Sequence, residues 1–507
     1  MNKLKLGIYA IVASLVLWGC DDLFDVNPAT SLPGEEVVNS GEGVESLRES
    51  MYSHFRASFS HTTEYFIAPS AFADELRVRS GATRYQELNN AVDGDGGRTH
   101  ITGWSDTYDI IQDLNLMIGA VDADDIETLD EATLEQYRGE AYALRAFAYH
   151  HLVRGMGYEP GNFDQGPEGN WDLGVILHTD PVMDLDDVED EPRASVDEIY
   201  DQILSDLDAA KERLQGVTTQ TRANEAFVDG LRARVNLYAG NWQEAADAAD
   251  DAIANSGRSL VSDAEDMDDM FVEGGLVDVE TGEVEARDEG LHQETMFLLV
   301  VNPATENSTG DDSFTNNGPA GYTSDQWGAQ LPSQFVIDQY EEDDIRLHGW
   351  YEPCFDYTEG EQFSGCDGVN DEGFTITKFN GAKGNHVDDM PYMRLGEMYL
   401  IKAEGQAKAG DLDGGLATLN ELREARNASE KDAGNQDEFE DLILRERVRE
   451  LVAEGHRFYD LKRLGRAVTH PDGSTKFRAD SHRLLSPVPL SELGVNEELV
   501  DNPGFTD

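Results

Sequence analysis

Between Asn317 and Trp327 the chain gathers two aromatics, Tyr322 and Trp327, with Asn317, Asp325 and Gln326. Flat aromatic faces accept the C–H face of a pyranose, and amides and carboxylates around them bond its hydroxyls, so this mixture suits non-covalent capture of a sugar. Tyr322 and Trp327 are the expected platforms, with Asn317, Asp325 and Gln326 as polar partners; a buried structural role is the alternative for each aromatic. Arg77, Arg79 and Tyr85 are weaker candidates on an earlier stretch. Trp350 and Tyr351 either extend this group or pack against it. The helical period of Tyr108, Ile111 and Asn115 favours core packing for Trp104.

Covalent chemistry has less support. The chain lacks a zinc-protease His-Glu-x-x-His, a Gly-x-Ser-x-Gly elbow and a glycine loop leading into Lys-Ser or Lys-Thr. A glycosidase needs only two carboxylates, and among 102 acidic residues some pair meets that spacing by chance. No enzyme, cofactor or metal site is expected. Acidic runs such as Asp122–Asp125 and Asp184–Glu191 read as solvated faces rather than calcium sites.

The elements that must hold these candidates are mainly helical. Tyr137, Ala141, Leu144, Ala148 and Leu152 share one face of a helix expected over Leu134–Arg154 and ended by Gly155 and Gly157. Leu231, Val235 and Tyr238, the turn Gly240-Asn241, then Ala246, Ala249 and Ile253 describe a helical hairpin from Glu225 to Gly257. A second hairpin runs through Leu395, Met398, Ala403 and Ala407, turns at Gly410-Asp411, and continues through Leu416, Leu419 and Leu422. Small residues at both turns let antiparallel helices approach, as in tetratricopeptide units. The stretch from Ser259 to Tyr392 separates the hairpins and reads as irregular loops with a few short strands, such as Met296–Val301. Loops of this length are usually functional. Gly81–Gly103 is expected to join them on one face.

The N-terminus carries an address. Lys3 and Lys5 precede an apolar run too short to span a bilayer, and Leu17-Trp18-Gly19-Cys20 looks like a bacterial lipoprotein signal. Cleavage would leave an acylated Cys20 and a leash from Asp21 to Pro33; two or more acyl chains anchor durably. The two remaining cysteines, Cys354 and Cys366, enclose a short loop without histidine, which suits a disulfide better than a metal site, against two free thiols. A formal net charge of −64 makes nucleic acid and anionic lipid headgroups poor partners. Such a surface resembles those adapted to high salt: at ~1 M the Debye length is ~3 Å, and self-repulsion fades.

Five blocks in order then resemble one family. Trp104–Asn115, Gly139–Tyr149, Pro391–Glu404 with Leu419-Asn-Glu-Leu-Arg423, Leu444–Arg463, and Ser486–Leu493 closed by Asn502-Pro-Gly-Phe505 are similar to the SusD/RagB outer-membrane nutrient-binding lipoproteins. The resemblance implies a mainly α fold with four tetratricopeptide-like hairpins and a loop-rich insert. It also implies an outward-facing, lipid-anchored lid on a SusC-type TonB-dependent transporter, capturing an oligosaccharide or a peptide. The expected division is leader 1–19, acylated linker 20–34, helical region 35–258, and C-terminal region 259–507 with the insert at 259–391. A helical envelope scaffold that binds no nutrient is the alternative. Arg394, Glu397 and Glu404 on one helix, Arg447 and Glu450 on another, and Glu454-Gly-His-Arg457 are expected to lock helix packing rather than to bind ligand.

Overall fold

A computed structural model describes residues 40–60, 63–78, 86–90, 103–120, 126, 129–183, 190–271, 293–300, 330–353, 355–356, 361–362, 373–378 and 390–505. Cys20, the leash, Cys354, Cys366, Arg79, Tyr85 and the group from Asn317 to Trp327 lie outside the described residues.

The longer helices are α1 (Gly41–Ser60), α2 (Thr63–Phe72), α3 (Trp104–Ile118), α4 (Glu131–Met156), α5 (Val196–Arg213), α6 (Glu225–Ala239), α7 (Trp242–Ser256), α8 (Leu395–Lys408), α9 (Leu412–Ala425), α10 (Gln436–Leu451) and α11 (Arg457–Arg463). Strands are short and occur as antiparallel pairs. The fold is mainly α, as the periodicity predicts.

Asp130 caps α4 by accepting from the Thr133 N–H at 2.9 Å, satisfying a donor the first turn leaves open. The helix begins before Leu134 and runs through Gly155 to Met156, so Gly155 does not end it. Burial explains the difference. Between α3, α5 and α6, nearly every residue of α4 from Gly139 onward is enclosed. Its charges therefore need partners: Arg145 grips Asp206 at 2.8 and 2.7 Å, and Arg48 grips Glu140 with two 2.8 Å bonds.

Both predicted hairpins form, α6 with α7 and α8 with α9, and α7 lies along α8. The sequence-distant hairpins thus stack as neighbouring repeats. The approach is close at Gly405, where a Cβ would sit 2.6 Å from the Trp242 carbonyl oxygen and 3.0 Å from the Ala246 Cβ. Leu400, Ala403, Leu419, Leu422, Phe439 and Ile443 fill a local core there.

The main core joins the two halves of the chain. Phe55, Tyr65, Phe147, Phe227, Phe297 and Tyr392 form one aromatic cluster, with centroids 4.3 Å apart for Phe227 and Phe297 and 5.1 Å for Tyr65 and Tyr392. Each fully buried phenylalanine side chain contributes roughly 1.5–3 kcal/mol. Phe297 and Tyr392 come from paired strands, Thr295–Leu299 and Met390–Arg394. Arg394 ends the second strand in extended conformation, φ −148°, so it precedes the helix that carries Glu397 and Glu404.

Candidate ligand-binding site

Two described strands that border the expected sugar contacts in sequence pair with each other. Leu76–Val78 pairs antiparallel with Gln330–Pro332, with Val78 opposite Gln330. Val78 is the last described residue before Arg79 and Tyr85, and Gln330 is the first after Trp327. Arg77 lies on this strand opposite Leu331, half-buried, and burial pulls its pKa below the ordinary arginine value.

Polar side chains fasten the junction. Ser333 donates its N–H to the Glu75 carbonyl at 2.7 Å and its hydroxyl to the Asp74 carbonyl at 2.6 Å. The Asp74 carboxylate receives Arg457 at 2.8 and 3.0 Å and the Thr469 hydroxyl at 2.8 Å. Burial opposes ionisation of Asp74, but Arg457 outweighs it and holds the pKa below the usual value. Lys476 reaches the Phe72 and Ala73 carbonyls at 3.0 and 3.1 Å, closing the C-terminal end of α2. Gly455, at φ +79°, lets the chain before α11 press on α2, because any Cβ would strike the Tyr65 carbonyl.

Glu75 differs from these. Its carboxyl is fully buried, and Oε2 has no hydrogen-bond partner among the described residues. Burial pushes its pKa up to about 8, against the pull of Ser70 and Arg457.

Beyond the junction lies an array of buried ion pairs centred on Glu450. Its carboxylate receives Arg394 at 2.6 Å, Arg426 at 2.7 Å and Arg346 at 2.8 Å. Glu446, one helical turn earlier, binds Arg346 and Arg449 at 2.7 Å and also Arg423. Glu454 binds Arg394 and Lys378, both at 2.7 Å. Glu294 completes the set through Arg426 at 2.8 Å. Burial would raise the pKa of Glu450, yet Arg426, Arg394 and Arg346 hold it far below the carboxylate range. Lys378 stands 3.9 Å from the Trp350 ring centroid, and burial takes its pKa down to about 8.

These contacts assign the remaining aromatics. Trp350 is wholly enclosed and donates its indole N–H to the Met267 carbonyl at 3.1 Å, so it packs rather than extending the site. Tyr351 is buried with its hydroxyl 3.0 Å from that of Tyr340. Trp104 packs on Tyr108, centroids 5.1 Å apart. The arginine–carboxylate residues expected to lock helices do so: Arg234 clasps Glu397 at 2.7 and 2.6 Å, Arg463 clasps Glu404 at 2.6 and 2.8 Å, and Arg447 holds Asp460 at 2.6 Å. Glu75, Lys378, Arg346 and Arg426 escaped the sequence reading. The four-residue spacing of Glu446, Glu450 and Glu454 is the signal that points to a charged internal face, and nothing comparable marks Glu75.

Known proteins share this fold. Residues 357–505 match the family model described as the SusD family, and residues 22–237 match one described as "Starch-binding associating with outer membrane". The chain belongs to the SusD/RagB family. Two SusD-like proteins of Formosa agariphila are 24% identical over 91% of either chain and 26% identical over the full length of both. Among solved structures, a SusD superfamily protein from Bacteroides thetaiotaomicron has the same fold, with a TM-score of 0.73, 22% identity, and coverage of 91% of this chain and 99% of that one. A structure titled a laminarin-binding SusD-like protein has a TM-score of 0.70 at 21% identity, covering 92% of this chain and 100% of that one. Within the SusD/RagB frame, the two matched regions meet in the aromatic core, where Tyr65 of one packs on Tyr392 of the other.

Proposed function

We propose that this SusD/RagB chain is an acylated, surface-exposed outer-membrane lipoprotein that captures a neutral oligosaccharide without turning it over and presents it as a lid to a SusC-type TonB-dependent transporter. The observation that carries the reading is the Val78–Gln330 junction. It pairs the described residues that precede Arg79 and follow Trp327 in sequence, in a chain whose family model bears a starch-binding, outer-membrane description. The laminarin-binding neighbour favours a glucan over a peptide. Trp327 and Tyr322 act as platforms, Asn317, Asp325 and Gln326 bond hydroxyls, and Arg77, Arg79 and Tyr85 reach in from the other segment. The ion-paired interior keeps the base rigid, so little of the binding energy goes to ordering it.

Calorimetry in 1 M NaCl against laminari- and malto-oligosaccharides and against peptides tests this. Trp327→Ala is expected to weaken saccharide binding at least about tenfold, with unfolding unchanged. Unchanged affinity removes Trp327 from the site, and peptide binding without saccharide binding overturns the glycan assignment. A β-barrel transporter is expected to co-purify after mild detergent extraction; an envelope scaffold would bring other partners and bind no saccharide.

A further inference from the structure

A cleft of about 460 Å³ opens where the α6–α7 turn meets the end of α11, using none of the residues assigned above to ligand capture. Its volume lies within the range of small-molecule sites. Tyr238, Gly240 and Trp242 form one side; Asn162, Asp164 and Gln165 form another; Lys408, Glu440 and Arg463 complete it. Trp242 is half-buried, so part of its indole stays accessible, and the Lys408 ammonium stands 5.7 Å from its centroid.

The polar groups are already held in place. Gln165 donates its amide to the Lys462 carbonyl at 3.0 Å and Asn162 donates to the Arg463 carbonyl at 3.4 Å. Glu440 is fixed by Lys408 and, at 2.7 Å, by Arg466. Arg463 is committed to Glu404 and Asp460. The cleft thus offers an aromatic face, two immobilised amides and a carboxylate.

Charge narrows the ligand. The whole chain carries 102 acidic against 38 basic residues, yet the titratable lining here balances: Asp164 and Glu440 against Lys408 and Arg463. A net-charged ligand gains nothing from such a lining, whereas a neutral polyol satisfies the amides and carboxylate and stacks on the indole.

We infer that this cleft is a second saccharide site, taking a short stretch of a neutral oligosaccharide on the helical-repeat side of the molecule. The inference rests on the saccharide-capture reading for its ligand class only. Two independent sites on one tethered body raise retention of a long glycan through effective concentration, even where each is weak.

Calorimetric titration of the full chain with laminarihexaose and with maltohexaose, in 1 M NaCl, decides it. Wild type is expected to bind two saccharides per chain, and Trp242→Ala to weaken one class of site about tenfold while sparing the other. Gln165→Ala keeps the indole and its packing and is expected to weaken the same class, so a folding defect in Trp242→Ala leaves the test intact. Trp327→Ala is expected to leave one site. A single site lost in Trp327→Ala and unaffected by Trp242→Ala and Gln165→Ala overturns the second site while the main reading stands. A single site lost only in Trp242→Ala and Gln165→Ala supports this cleft and overturns the Trp327 assignment. No binding of either saccharide overturns both.

Discussion

Glu450→Gln isolates what the buried array contributes. The carboxylate serves three guanidinia at 2.6–2.8 Å, with its own side chain and those of Arg346, Arg394 and Arg426 at 0–1% exposure. Glutamine keeps the volume but removes the charge, and its amide nitrogen turns a donor toward cations that need acceptors. Removing one partner of a buried pair costs about 3–5 kcal/mol. Glu446, Glu454 and Glu294 remain to share the stranded cations, which argues against a value above that range. A loss of about 4 kcal/mol is expected, roughly a thousandfold in the folding equilibrium. Equilibrium urea unfolding at pH 7 measures it. Because the pair is shielded from solvent, the deficit should persist in 1 M NaCl. Its pH dependence has a fixed sign. A carboxyl whose folded pKa lies below its unfolded value stabilises above the unfolded value, near 4.3, and loses that contribution as pH falls through the folded pKa. Wild type should therefore converge on the variant in strong acid. A deficit under about 1 kcal/mol, or one abolished by salt, would refute the reasoning, since that is how exposed pairs behave.

Other outcomes follow from single sites. Glu75 has a raised folded pKa of about 8, so the fold favours its neutral form, and stability should fall as pH rises from about 4.3 to about 8, by up to about 5 kcal/mol. Glu75→Gln should flatten that part of the pH–stability curve, and an unchanged slope would show that another group titrates. Gly405→Val should lower stability by about 1–3 kcal/mol in thermal unfolding, because its Cβ would press on the Trp242 carbonyl and Ala246. Raising NaCl from dilute buffer to molar concentration should raise the unfolding midpoint by screening the net charge of −64, and a flat response would count against a salt-adapted surface.

Different parts of the molecule were legible to different degrees. The α6–α7 and α8–α9 hairpins follow from apolar spacing and turn glycines; α7 and α9 bury one stripe, whereas α6 and α8 are enclosed on nearly every face. The enclosure of α4 from Gly139 onward is not visible in its one apolar stripe, because Arg145, His150 and Arg154 are buried as well and Asp206 neutralises Arg145. The sequence reading puts Arg394 on one helix with Glu397 and Glu404, whereas pairing with Thr295 keeps it extended. The packing roles of Arg394, Glu450 and Glu454 are readable from the grouping of arginines with carboxylates, but their partners Arg346, Lys378 and Arg426 come from separate stretches of the chain. The pairing of Val78 with Gln330 is likewise a tertiary fact.

The contact between α7 and α8 also sets a clock. About 140 residues separate Ser256 from Leu395, and at roughly 5–20 residues per second their synthesis takes on the order of ten seconds. Until then the alanine-rich side of α7, with Ala246 beside the place of Gly405, has no cover. A chain stopped anywhere in that interval is a hydrophobic edge awaiting its mate.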